Sequence, residues 1–373
     1  MSALISLRRG VVKEIAVRRG DFMEVVVTVG GSDRRAVVYP KLTGGVGVGD
    51  EVVVNVTAVE LGLGSGGVDF VTANLSIEGR EFAPAGHVMK MNYTPLQGKV
   101  LSAEEKDSPH RDAIEGFSSL GGIPVVVGSL HSMVAPVAGA VERLTGGGAR
   151  VAYVMTDGAC LPLPFSRTVR ELKDRGLLAG TVTYGNAFGG DLEAVNKYTA
   201  LIAAREALSA DVIVAAMGVG SIGTGTRYGY SAIEQGEILN AAKVLGGTPV
   251  ACVRMSFADA RERHRGISHH AVTALMDVAM EGMFVPLPVL EGGEREIVAE
   301  QIRESGLGGK HVVVERDGAA AMEALKKHRL EVTTMGRGPA DDPVFFSACG
   351  AAAALAVEHT GRAGPRGSSP PED

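Results

Sequence analysis

Three of the chain's nine histidines fall within ten residues, RERHRGISHH, from Arg261 to His270. Three arginines and one serine share the stretch. Histidine titrates nearest to neutral pH and serves as acid, base or metal ligand. Arginine grips carboxylate and phosphate with a planar fork of donors. The stretch could therefore move a proton, hold a metal, bind an anion, or form a solvated basic loop. Its H-x4-H-H spacing departs from zinc patterns such as H-E-x-x-H. His269 and His270 are adjacent, so on a helix they diverge by about 100° and are poorly placed to chelate one ion together. Ser268 reads as the N-cap of a helix over HHAVTALMDVAM, whose positive end would favour neutral imidazoles.

A second stretch, GVGSIGTGTRYG, spans Gly218 to Gly229 between a strand and a helix. A glycine loop with exposed N–H groups suits an anion. Gly218, Gly220, Gly223 and Gly225 would bring the backbone close, with Ser221, Thr224 and Thr226 adding hydroxyls. Its start matches G-x-G-x-x-G, but the dinucleotide context is wrong. The loop follows the fourth strand, its helix begins well after Gly223, and Arg254 rather than an acid ends the next strand. A second match, Gly62 to Gly67, has no helix behind it, and no Gly-Lys-Ser/Thr follows either loop. No dinucleotide is expected. Other candidates follow other strands: Ser129 and His131 in GSLHSM, Asp157 in MTDGACLPLP, and Asn186 in YGNAFGGD. Each has a plainer reading: Ser132 as a helix cap beside an ordinary histidine, and Asp157 and Asn186 as turn formers.

These residues need elements to position them. Residues 1–95 read as a small all-β domain, an antiparallel barrel or sandwich without a helix. Its short β-branched runs are separated by turn clusters such as RRGD and GVGVGD. Residues 96–360 alternate apolar strands with helices: strands at 123–129, 150–156, 179–185, 211–218, 248–255, 283–289, 310–316 and 330–336, with helices between, among them 191–208 and 231–245. Near-continuous apolar strands alternating with helices give an α/β fold, a doubly wound, mostly parallel, Rossmann-like sheet. Ser231 and Glu234 have the spacing of a capping box. Residues 361–373 read as a disordered tail. Such sheets bind ligands outside the carboxyl ends of their strands. Ser129, His131, Asp157, Asn186, the glycine loop and the segment Arg254 to His264 all fall at that end. The opposite loops, such as LTGGGA and LKDRGLL, carry little chemistry.

The composition narrows the class. A net charge of −6 without a basic run argues against nucleic acid. No apolar run is long enough for a membrane span, and MSALISLRRG lacks a signal peptide's core. The cysteines Cys160, Cys252 and Cys349 form no zinc or disulfide pattern and fit a cytoplasmic protein with reduced thiols.

Long segments, among them MNYTPLQ, GSLHSMVAPVAGA, MTDGACLPLPFS, GSIGTGTRYGYSAIEQGEILNA and RMSFADARERHRGISHHAVTAL, resemble a bacterial family of unknown function (DUF3866). The resemblance covers nearly the whole chain and implies no activity. From the residues, we expect an enzyme acting on an anionic small molecule, phosphorylated compounds included, by hydrolysis or group transfer. Gly218 to Thr226 would cradle the anion and Arg254 and Arg261 would neutralise it. His131 and His264 are the candidate bases, with Asp157 orienting an imidazole. One alternative is a metalloenzyme with a divalent ion among His131, Asp157, His264 and His269 or His270. Another is a non-catalytic ligand-binding or regulatory protein. A homodimer is compatible with the sequence.

Overall fold

The computed structural model describes residues 4–81 and 85–361. The chain divides into two compact units, Met1–Val100 and Leu101–Asp373.

In the first unit, β1 (Leu7–Arg19), β2 (Phe22–Val29), β3 (Ser32–Val38), β4 (Glu51–Asn55) and β5 (Asp69–Asn74) form a closed barrel. The strand order is β1-β2-β3-β5-β4. Each pairing is antiparallel but β3 with β5. Alternate residues face inward, and Val25, Val27, Val52 and Val54 are wholly buried there. Closure, rather than a two-sheet sandwich, leaves no free edge. Two four-residue helices, Pro40–Thr43 and Thr57–Glu60, interrupt what the sequence suggests is helix-free. A short hairpin follows, β6 (Val88–Lys90) with β7 (Gly98–Val100).

The second unit is the doubly wound α/β fold. In chain order its strands are β8 (Pro124–Gly128), β9 (Val151–Thr156), β10 (Gly180–Tyr184), β11 (Leu192–Ala194), β12 (Val212–Met217) and β13 (Thr248–Cys252), then the two-residue β14 (Met255–Ser256) and β15 (Gly266–Ile267), β16 (Phe284–Pro288) and β17 (Val312–Arg316). All but β14 and β15 join one sheet, ordered β11-β10-β9-β12-β8-β13-β16-β17, with parallel pairing throughout. Both faces are buried. Val125 and Val127 pack into one core and Val126 into the other. The helices Val134–Thr145, Ala319–Lys327 and Pro343–Thr360 pack together in the core that holds Val126. Lys197–Glu206 and Glu234–Val244 touch each other in the opposite core.

The order locates the crevice. The connection from β8 runs to β9, past β12; the connection from β12 runs the other way, past β8, to β13. Neighbouring strands whose connections diverge form a switch point, where the carboxyl ends open into a cleft.

Some sequence expectations fail. Residues 330–336 form no strand. Leu330, Val332 and Thr334 are buried in alternation, but the segment has only an isolated bridge, Thr334 with Arg337. Period-two burial without a ladder partner is extended chain, not sheet. The expected helix 191–208 is split: Leu192–Ala194 is an edge strand, and Asn196 caps the helix Lys197–Glu206 with a full capping box. Of the tail, only Gly361 lies within the described residues. No described helix is long and apolar enough to cross a membrane.

Candidate functional site

The loops after β8, β12 and β13 enclose a cavity of about 260 Å³. These are the three adjacent strands at the switch point. Ser129 comes from the first loop, Ser221, Gly223 and Gly225 from the second, and Arg254, Arg261 and His264 from the third. All seven are among the residues singled out from the sequence. Arg263, His270 and Tyr230 line it as well.

The third loop gets its shape from a small antiparallel ribbon. Met255 pairs with Ile267 and Ser256 with Gly266, so the intervening residues loop out over the end of β13. Gln301, from helix Gly292–Ser305, accepts from the Ile267 N–H and donates to the Arg265 carbonyl, each at 2.8 Å. Inside the loop, Asp259 is the anchor. It accepts from Arg254 Nη2 at 2.9 Å and from Nε and Nη2 of Arg261 at 2.9 Å. Arg337 lies 3.6 Å from the same carboxylate and donates to Asp342 at 3.0 Å. The Arg261 guanidinium, with its neighbours, holds the Asp259 carboxyl well below the usual carboxylate range. Arg263 makes no ion pair with any described residue. Arg254, Arg261 and Arg337 thus share Asp259 and Asp342, while Arg263 adds to the cavity lining a guanidinium with no carboxylate partner among the described residues.

The three histidines cluster. Ring centroids are 4.1 Å apart for His269 and His270, 4.8 Å for His264 and His269, and 5.2 Å for His264 and His270. Burial, and next the Arg254 and Arg261 charges, push His264 down to about 3. Burial and the neighbouring His269 and Arg254 push His270 to about 4. The imidazoles are neutral at pH 7, as the sequence suggests, but not because of a helix terminus. The helix His269–Thr273 is a single turn running into a π-turn, and Ser268 makes no cap hydrogen bond. Its hydroxyl faces His264 Nδ1 at 2.8 Å instead. His270 is steadied by Tyr230, whose ring stacks on it at 3.9 Å and 7°.

Several expected site residues lie elsewhere. His131 does not line the cavity. Its Nδ1 faces the Met217 carbonyl at 3.3 Å and Tyr153 Oη at 3.2 Å, and its Nε2 faces Ser166 Oγ at 2.7 Å. Both nitrogens are consumed in packing, and burial lowers its pKa to about 4. That leaves no free nitrogen for a base. Asp157 and Asn186 follow β9 and β10 and do not line the cavity: Asp157 Oδ2 accepts the Asn186 N–H at 3.0 Å. Thr224 and Thr226 spend their hydroxyls on each other at 2.9 Å, and Thr224 also donates to the Gly229 carbonyl. Gly218 is a packing glycine, since a Cβ there would stand 2.4 Å from the Cys160 carbonyl oxygen. Gly220, at φ 89°, only turns the exposed loop.

The metal arrangement does not assemble. Among the described residues no three His, Cys, Asp or Glu side chains converge on a point where an ion would sit. His131 and Asp157 are elsewhere, and His269 commits Nδ1 to the Arg263 carbonyl at 3.0 Å. The surplus guanidinium charge also opposes a cation.

Glu234 lies outside this cavity. It forms no capping box with Ser231. Its carboxyl accepts from Thr156 Oγ1 at 2.5 Å, and Ser231 Oγ accepts the Ile222 N–H. Burial, reinforced by the Asp157 charge, raises it to about 7. Gly158 makes room for it: a Cβ there would lie 2.7 Å from Glu234 Oε1.

A family model described as a protein of unknown function, DUF3866, matches residues 35–353. The chain belongs to that family. No curated protein and no solved structure matches it.

Proposed function

We propose that this DUF3866 protein is an enzyme of the cytoplasm that binds an anionic small molecule at the switch point of its sheet and acts on it by hydrolysis or group transfer. One observation carries the reading. The cavity at the ends of β12, β8 and β13 is lined by Arg254, Arg261, Arg263 and two neutral imidazoles. Guanidinium groups in a half-enclosed pocket favour a phosphate or carboxylate over a neutral ligand. Neutral His264 and His270 each offer one N–H donor to the ligand and one lone pair that can take a proton. Leu130, Ile222 and Met335 supply an apolar side for the rest of a compact ligand. Cys252 and Cys349 are buried free thiols, in keeping with a reducing compartment.

A thermal-shift panel of phosphomonoesters and small carboxylates, followed by product analysis for each binder, tests the reading. Turnover of a bound phosphoester, lost on replacing His270 by Ala, supports an enzyme. Tight binding with no product for any binder would instead favour a ligand-sensing protein. No binder at all would remove the anion site.

A further inference from the structure

The hydroxyl of Ser268 and the imidazole of His264 form a closed pair. Ser268 is wholly buried, and its backbone N–H is fixed on the Arg254 carbonyl at 2.9 Å. Among the described residues, its Oγ meets one partner, His264 Nδ1 at 2.8 Å, and that nitrogen meets no other. A serine hydroxyl carries one proton and two lone pairs. If Nδ1–H donated to Oγ, the hydroxyl proton would be shut in with nothing to accept it. If the hydroxyl donates to Nδ1, only lone pairs go unused, which costs far less. The second arrangement puts the ring proton on Nε2. That nitrogen makes no hydrogen bond among the described residues, and the His264 ring, though almost wholly buried, is part of the cavity lining.

The described histidines divide between the two tautomers: His311 sets Nε2 against the Leu275 carbonyl at 2.9 Å and accepts the Met283 N–H at Nδ1. His269 places Nδ1 against the Arg263 carbonyl, which only accepts, so it carries its proton on Nδ1. His264 is set the other way.

We propose that Ser268 is a positioning residue that holds His264 as the Nε2–H tautomer, and that this N–H donates to an oxygen of the bound anion. His264 is then a neutral oxyanion donor beside Arg254 and Arg261, not a general base. Base duty falls to His270, whose ring also lines the cavity. The donor half rests on the anion-binding reading above; the tautomer half stands alone. The depressed pKa of His264 agrees with both, because a ring that stays neutral keeps its N–H in place.

The test uses the full chain with ring-15N histidine at pH 7 and inorganic phosphate as probe. Two-bond proton–nitrogen correlations separate the tautomers, and the signals missing in His264→Gln assign the ring. The proposal expects Nε2–H for His264 in the wild type and a tautomer mixture in Ser268→Ala. It also expects phosphate affinity to fall about three- to tenfold in Ser268→Ala, on the scale of one hydrogen bond. Should His264→Gln fail to fold, the signals that Ser268→Ala alone displaces assign the ring. An Nδ1–H or doubly protonated His264 in the wild type overturns the proposal while leaving the anion site intact. The expected tautomer with no phosphate binding at any concentration overturns the donor role and the anion reading together. Unchanged tautomer and affinity in Ser268→Ala overturn the role of Ser268.

Discussion

The imidazole of His270 lies flat on the ring of Tyr230, with centroids 3.9 Å apart and planes 7° from parallel. Tyr230 Oη also donates to the backbone carbonyl of His270 at 2.7 Å. One tyrosine therefore fixes both the ring and the chain of the histidine assigned base duty. Tyr230→Phe keeps the stack and loses the hydrogen bond, so it should cost about 1 kcal/mol in urea unfolding and little phosphate affinity. Tyr230→Ala removes a nearly buried ring and should cost about 3 kcal/mol or more. It should also impair turnover beyond what the Phe variant loses.

Asp259 should prove the structural centre of the cationic loop. Asp259→Asn leaves the buried Arg254 without its counter-charge. The expected loss is on the order of 3 kcal/mol in denaturant unfolding. The sign with pH follows from its lowered pKa. The stabilisation is complete above the unfolded carboxyl value near 3.8 and is lost only as pH falls below it. Between pH 5 and 8 the difference between wild type and Asp259→Asn should therefore stay flat.

The histidines should set the acid limb sooner. His131, His264 and His270 have folded pKa values of about 4, 3 and 4, below the unfolded value of 6.5. Their neutral forms favour the fold above 6.5, and that advantage drains away as pH drops toward 4. Each contributes a slope of up to about 1.4 kcal/mol per pH unit in that window. Saturating phosphate should flatten the slope, because an anion beside Arg254 and Arg261 lets His270 accept a proton while folded. Unfolding curves at pH 5 and 7, with and without phosphate, would show it.

Glu234 should pull the other way. Its folded pKa of about 7 lies above the usual carboxylate value of 4.5, mainly through burial. The group is stabilising in its protonated form at low pH, and stability is lost as pH rises toward 7. Glu234→Gln keeps a partner for Thr156 and cannot ionise. At pH 8 it should be more stable than wild type by on the order of 1–3 kcal/mol in urea unfolding. A destabilised Glu234→Gln would mean that the carboxylate itself is needed there.

How much of this was legible in the chain depends on how local the signal is. The parallel strands announce themselves as apolar runs such as VIVAAM, and the rim residues Arg254, Arg261 and His264 follow from where those runs end. Strand order is not local. Only the pairing of β12, β8 and β13 shows that Ser129, Ser221 and Arg254 meet, while Asp157 and Asn186 follow β9 and β10. His131 looked reactive because its consumers, Tyr153 and Ser166, lie 22 and 35 residues away. The capping box Ser231–Glu234 was a correct spacing without its geometry, because Thr156 took the carboxyl. Arg263 and Tyr230 carry no distinguishing local signal, although Arg263 lies within RERHRGISHH. Met335 was hidden by reading its segment as a strand, where it instead takes a turn with φ 47°.

The central claim is that the cavity over β12, β8 and β13 binds a small oxyanion. Calorimetric titration of inorganic phosphate into the wild type and Arg263→Met tests it most directly. Arg263 lines the cavity without an ion pair to any described residue, so its loss should leave folding intact. The account predicts saturable binding in the wild type, weakened about tenfold or more in Arg263→Met, as for a charged hydrogen bond. No binding in the wild type, or equal binding in both, would contradict it.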